Sequence, residues 1–434
     1  MTLNRRPRPS PDNRQLRLWG VGRVLSATVV AAALAASSVF YGLAYLLGFE
    51  EIDTTAKLDA KTLFDLVKIS FGVVAGAGAL VALVVAYRRQ RVDEAGAHRE
   101  ATRLHTERFS QAVDKLGSDS PAVRLGGVHA LAGLADDAPD ASLRQTCVDV
   151  LCAYLQLPFT PDPGDDPGHR EEHHRFLALR KVRHTILRLI GDHYRRPNGA
   201  HRSWQGCDLD LTGVIIDCDM DFSQAVFSGR VSFRDAAFFG GEVSFDGAVF
   251  AGGSVIFAGA LFAGSNVVFA DALFSDGKVI FDGAEFHNGL VTFNHAMFTG
   301  GRVSFVAAMF SGGRVTFVDA AFAGGEVSFA SSLFSGGEVS FQGAMFSGGE
   351  VFFLGVAFSG STVNFRHTAF SGSRVMFNDA AFSADEVTFQ RARFLGGEVS
   401  FNDATGPAPF RLLAAVGNAS VPVVVMPPAW LPDP

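Results

Sequence analysis

Only four cysteines occur in 434 residues: Cys147, Cys152, Cys207 and Cys218. None forms the paired C-x-x-C spacing of a metal site, and so sparse a set excludes a disulfide-built scaffold. It fits a reducing compartment in which thiols fill core positions. The C-terminal half also lacks a Ser/His/Asp arrangement, a phosphate loop and any carboxylate pair recurring at equivalent positions. Those absences take the common hydrolase and nucleotide chemistries away from that half.

What is there instead is repetition. From Val231 to Glu398 a twelve-residue unit recurs fourteen times, as in VSFDGAVFAGGS (Val243 to Ser254) and VSFQGAMFSGGE (Val339 to Glu350). Every copy has Val at position one and Phe at positions three and eight; Ala fills position six except at Ser332, Val356 and Thr368. A short fixed period means a solenoid, whose coils bury apolar surface only against their neighbours. Val-x-Phe and Ala-x-Phe have the strand period of two. The Ser-Gly-Gly that follows, as at Ser311, Gly312 and Gly313, is where the chain is expected to turn, since Gly accepts positive φ.

One coil holds two units. Twelve residues are too narrow to enclose two Phe rings, whereas twenty-four give four sides with four inward Phe at ordinary packing density. The twelfth position tests this independently. Stacked at twenty-four, Arg302 meets Glu326, Arg314 meets Glu338, and Arg374 lies between Glu350 and Glu398, against two like-charge pairs, Lys278 with Arg302 and Glu326 with Glu350. Stacked at twelve, repulsive pairs outnumber attractive ones, because Arg302 faces Arg314, Glu338 sits between Glu326 and Glu350, and Glu386 faces Glu398. Like charges on adjacent ladder positions are unfavourable, so the longer coil wins. About seven coils at ~4.8 Å each predict a rod on the order of 34 Å long.

Ala344-Met345-Phe346-Ser347-Gly348 and Ala284-Glu285-Phe286-His287-Asn288 resemble the pentapeptide-repeat family, and Leu209-Asp210-Leu211-Thr212-Gly213 looks like a lead-in coil. The resemblance covers residues 205 to 404 and implies a right-handed quadrilateral β-helix. The two-residue insertion in every second pentapeptide makes the cross-section less square than the family's. Some members bind DNA gyrase by presenting negative charge as a duplex does. Between His201 and Asp403 acidic residues outnumber basic ones 21 to 10, the sign such mimicry needs, but the charges are mixed within single ladders.

Two apolar runs lie near the N-terminus. Leu25 to Leu47 has no charged residue, and Ile69 to Tyr87 is shorter but still long enough to cross a bilayer as a helix. Arg5, Arg6, Arg8, Arg14, Arg17 and Arg23 precede the first run, and Arg88, Arg89 and Arg91 follow the second. The connector carries Glu50, Glu51, Asp53 and Asp59 against Lys57 and Lys61. Positive-inside then places both termini and the solenoid in the cytoplasm. Gly72 and Gly76 form a G-x-x-x-G through which two copies of the second span could associate.

Residues 100 to 195 read as helices. One opens at Thr106 or Glu107 and ends at Gly117, a second follows Ser120-Pro121, and a third follows Ser142. Asp119 to Leu134 looks like a HEAT-type repeat helix. Arg88-Arg-Gln-Arg91 followed by Glu107-Arg-Phe-x-x-Ala-x-x-x-Leu-Gly117 resembles bacterial membrane-anchored pentapeptide-repeat proteins. Pro158 to Gly168 is a loop. The helix after it carries Arg175, Arg180, Lys181, Arg183 and Arg188, read as a solvated face near anionic lipid rather than a nucleic-acid patch.

Two strings suggest metal chemistry. His169-Arg-Glu-Glu172-His173 fits the inverted zincin H-x-x-E-H, in which two His bind zinc and Glu activates water. It begins in the Pro/Gly loop and lacks a third ligand, so a solvated helix start is the better account. Asp217, Asp219 and Asp221 alternate in a spacing that could hold Ca²⁺ with backbone carbonyls, but a polar outer face on an entry strand is the better account. At the far end, Phe410, Leu412, Leu413 and Val416 are expected to cover the last coil, and Pro422 to Trp430 to form an edge strand ended by paired prolines.

The expected organisation is a basic cytoplasmic segment (1–24), a two-helix transmembrane hairpin (25–87), a cytoplasmic α-helical domain (88–200), a pentapeptide-repeat-like β-helix (201–404) and a C-terminal cap and tail (405–434). The expected role is a non-enzymatic scaffold in the bacterial inner membrane. It has no cofactor or resident metal, touches the lipid bilayer and a protein partner, and does not bind nucleic acid. A gyrase-binding DNA mimic and a zinc hydrolase using residues 169–173 are the rival readings.

Overall fold

The computed structural model describes residues 60–417 except 161, 165 and 384–386, residues 424–431, and scattered helical positions between Ser26 and Tyr45. The basic segment 1–24, much of the first apolar run, most of its acidic connector, and Glu386 lie outside the described residues. The chain divides into two compact units, residues 1–100 and 101–434.

Helix α1 spans Ala60–Leu116, 57 residues. The sequence suggested a fresh helix opening at Thr106 or Glu107; instead the helix runs straight through. No proline interrupts it between Tyr87 and Glu107, and i,i+4 pairs such as Gln90 with Glu94 (2.9 Å) and Arg103 with Glu107 (3.1 Å) bridge its turns. Among the described residues no helix is long and apolar enough to cross a membrane. The expected hairpin of two spanning helices is therefore unsupported: the first run is described only at scattered positions, and several side chains at the start of the second are not described.

Helix α2 (Pro121–Asp136) has proline in its first turn, as expected. Helix α3 (Ala141–Gln156) is capped by Asp140 rather than Ser142, the carboxylate accepting from the Leu143 amide at 2.9 Å. Helix α4 (Arg170–Tyr194) completes the bundle. Val128, Leu131, Val148, Leu151, Ile186 and Ile190 are buried between these helices, and their core continues without a break into the solenoid.

The solenoid has about nine turns rather than seven. The regular copies supply seven; the rest come from the ends. At the N-terminal end the lead-in steps by twenty-two residues, pairing Leu209 with Val231, then by twenty-three, pairing Met220 with Val243, before the twenty-four-residue step begins. Parallel pairing at that step runs through the regular copies, for example Arg302, Val303 and Ser304 with Glu326, Val327 and Ser328.

The turns are not where the glycines suggested. Ser-Gly-Gly lies inside eight-residue strands such as Met309–Thr316 and Leu333–Ser340, at a β-bulge where the pairing register shifts. The tight corner is Phe-x-x-Ala, closed by a hydrogen bond such as Ala308 N to Phe305 O (3.1 Å). Its third residue has positive φ, as in Asp235, Gly247, Asp271, His295 and Ala307, which is the geometry of a type II turn. Each coil thus consists of two long bulged strands joined by two tight corners. Its strands fall into two sheets, of 14 and 12 strands, rather than four separate sides.

The four inward Phe per coil are as expected. Each stacks on its equivalent one coil away, as Phe317 does on Phe293 and Phe341, with ring centroids 4.7 and 4.8 Å apart. The two position-three columns also meet edge to face across the centre, Phe317 with Phe305 at 6.0 Å and with Phe329 at 5.8 Å. Aromatic groups with a polar handle close both ends. Tyr194 packs on Phe222 and Phe227 while its hydroxyl donates to the Cys207 carbonyl. Trp430 packs on Phe382 and Phe401 and donates to the Gly406 carbonyl at 2.8 Å. Leu412 is buried as expected, but Phe410 and Leu413 are 44% exposed, and Trp430 covers the last coil instead. Val424–Val425 pairs with Val399 and Ser400 as the last strand, ended by prolines.

Candidate interaction surface

Alternation along each bulged strand decides what faces outward. In Met345–Phe352, Phe346 and Val351 point inward, while Met345, Ser347 and Glu350 are exposed. The seventh and twelfth positions of the repeat therefore form two parallel columns on the outside of each sheet, separated by a strip of Ser and Gly.

On the larger sheet the seventh-position column is apolar from Val226 through Val249, Leu273, Met297, Ala321 and Met345 to Ala369, all in register, and ends on the exposed Arg393. Met297 and Met345 are 45% and 51% exposed. The twelfth-position column carries the charges. Arg302 reaches Glu326 at 2.7 Å, and Arg374 bridges Glu350 (3.6 Å) and Glu398 (3.1 Å). On the smaller sheet Arg314 pairs with Glu338 at 2.9 Å. These are the pairs expected from twenty-four-residue stacking. All are exposed or half-exposed, so each contributes at most about 1 kcal/mol and they specify register more than stability. Both signs occur in these columns, and neither sheet presents a continuous acidic strip.

The junction between helices and solenoid holds the densest polar cluster. Arg180 Nε donates to Asp217 Oδ2 and His184 Nε2 pairs with Oδ1, both at 2.7 Å. Arg195 pairs with Asp221 at 2.6 Å, and Gly191 lets α4 lie close on the Asp221 backbone. Asp136 accepts from Trp204 Nε1 at 3.0 Å and also faces His193. Burial by itself would raise the Asp217 carboxyl, but the hydrogen bonds from His184 and Arg180 outweigh it and hold the group at about 2. A carboxyl lowered from 3.8 binds fewer protons when folded than when unfolded. Its contribution, about 2 kcal/mol, is therefore full above pH ~4 and lost as pH falls through ~2. Asp217→Asn should cost about that much at neutral pH and nothing below pH ~2, measured as denaturant midpoints across pH.

The proposed metal motifs do not assemble. His169 precedes α4 and pairs with Glu172 at 3.1 Å, while His173 turns to Asp162 at 2.6 Å. Asp217 and Asp221 take separate arginines, and Asp219 accepts from the Glu242 amide. Among the described residues the one cluster with metal-ligand spacing is His184, Asp217 and Cys218. Both Asp217 oxygens in it are occupied, and the Arg180 guanidinium sits where a cation would. It is a clamp between α4 and the lead-in coil. Sequence spacing could not show it, since its partners lie 33 and 37 residues apart.

The basic face of α4 is largely consumed in the same way. Arg180 and Arg188 are ion-paired, and Arg183 is buried over the Phe159 ring. Cys147, Cys152 and Cys207 are buried and Cys218 is half-buried. Desolvation pushes the Cys147 thiol to about 11 and those of Cys152 and Cys218 to about 12, which suits core filling rather than nucleophilic chemistry.

No family model and no curated protein matches this chain. The fold is nonetheless a pentapeptide-repeat-like β-solenoid with a regular Phe ladder and a helical N-terminal region, an architecture that fits a protein-interaction scaffold.

Proposed function

We propose that this protein is a membrane-anchored scaffold of the bacterial inner membrane whose solenoid binds protein. The observation that carries the scaffold reading is the pair of outward columns, one apolar and one charged, held in strict register along the larger sheet. Such a lattice offers repeated contacts to a folded partner, as concave or flat solenoid surfaces do. Contiguous apolar surface rimmed by polar residues marks interaction sites.

Anchoring rests on the apolar runs and the arginine asymmetry. Leu80, Leu83, Val84, Val85 and Tyr87 on α1 are between 53% and 67% exposed, surface that a bilayer would cover. Both termini then lie in the cytoplasm. Reporter fusions active only outside the cytoplasm, placed near Thr55 and after Pro434, should be active only near Thr55. Activity at the C-terminal fusion would overturn the topology. Crosslinking in native membranes followed by mass spectrometry should recover proteins joined to solenoid residues; crosslinks confined to the helices would remove the scaffold role from the solenoid.

A further inference from the structure

The charged column on the larger sheet reverses sign about its middle. Above the midpoint between Arg302 and Glu326 it reads Arg302, Lys278, Ser254, Arg230; below it reads Glu326, Glu350, Arg374, Glu398. Read outward from that midpoint, three of the four levels carry opposite charges and the fourth sets Ser254 against Arg374. About the same level the seventh-position column sets apolar residues opposite one another at three levels and Val226 opposite Arg393 at the fourth. Met297 lies opposite Ala321, Leu273 opposite Met345, and Val249 opposite Ala369.

We propose that the larger sheet is a two-fold interface between two copies of this chain, packed face to face with their solenoid axes antiparallel. The two-fold axis lies between the faces along the strand direction, midway between the Arg302 and Glu326 levels. That operation lays each column over the same column of the other copy in reverse order. Arg302 then meets the second copy's Glu326, Lys278 its Glu350 and Arg230 its Glu398. Each contact occurs twice, as an isologous interface requires. No like-charge contact is formed.

A single chain leaves two like-charge neighbours on this sheet, Lys278 beside Arg302 and Glu326 beside Glu350. In the pair each acquires opposite charge across the interface, which accounts for residues that the isolated solenoid does not explain. The strip of Ser and Gly between the columns lets the sheets approach to the ordinary ~10 Å spacing. Eight levels, each about eight residues wide, cover roughly 850 Å² per copy, the size of a standard stable interface. The smaller sheet lacks this symmetry. Glu285 interrupts its apolar column, and Asn266 and Leu290 stand in its charged column.

The inference rests on reading the solenoid as an interaction surface and names the second copy as its partner. Lys278 and Glu350 are three coils, roughly 14 Å, apart in one chain and cannot pair within it. Light scattering on the purified full chain in mild detergent should show a dimer. Lys278→Glu should weaken it at least tenfold, as should Glu350→Lys, and the two together should restore it. At dilutions where both proteins are monomeric, Lys278→Glu should melt at or above the wild-type temperature, because it removes the repulsion from Arg302; that separates lost association from lost folding. A monomeric wild type, a dimer indifferent to both single changes, or a double variant that fails to recover would each overturn the proposal. Foreign proteins crosslinked to the solenoid of a monomeric chain would leave the scaffold reading standing and remove only this inference.

Discussion

Phe317→Ala is expected to cost about 3–5 kcal/mol and to split unfolding of the solenoid into two transitions, or to drive aggregation. Phe317 is fully buried, sandwiched between Phe293 and Phe341 and touched edge-on by Phe305 and Phe329. Removing the ring leaves a cavity whose walls are held by backbone pairing on both sides, so they cannot collapse into it. In a quasi-one-dimensional stack the loss falls on the coupling between the coils above and below. Ser311→Ala, on the outer strip, should change stability by less than about 0.5 kcal/mol. Thermal melts of the two variants decide the matter: a Phe317→Ala chain that melts like wild type would show that the column is not the core.

Gly312→Ala should destabilise by about 3 kcal/mol, although its backbone conformation suits any residue. A Cβ there would lie 2.0 Å from the His287 carbonyl oxygen one coil away, a backbone atom that cannot move aside without breaking the ladder. The same close approach recurs at Gly300, Gly324, Gly336 and Gly348. Gly355 provides the contrast. It sits at a corner with φ +59 and open space around its Cβ position, so Gly355→Ala should cost only the left-handed strain, about 1 kcal/mol. Equal losses in denaturant titrations of the two variants would contradict this separation of space from conformation.

That distinction also explains where the sequence misled. Ser-Gly-Gly looks like the corner because glycine marks turns. Here its first glycine is required for backbone proximity and its second for a bulge within a strand. The signal for the true corner was present at the fifth position, which is Gly or Asp in most copies, residues that tolerate positive φ. The coil size was legible because both Phe spacing and the signs at Arg302, Arg314 and Arg374 had one consistent solution. Helix α2 was legible from Pro121. The continuity of α1 was not, since a helix without proline carries no mark of where it refrains from ending. Nor was the clamp at Asp217: Arg180 and His184 reach it from another element, and only the fold brings them together. The H-x-x-E-H spacing at residues 169–173 presumed a helix that starts one residue too late to include His169.

Two repeats make one coil, and the two lie in different sheets. Inserting or deleting a single twelve-residue copy would hand every downstream column to the opposite face, whereas a change of twenty-four would leave each face as it was. The gene segment encoding the rod can thus be lengthened or shortened without re-sorting its surface only in steps of two copies, and the fourteen it carries are an even number.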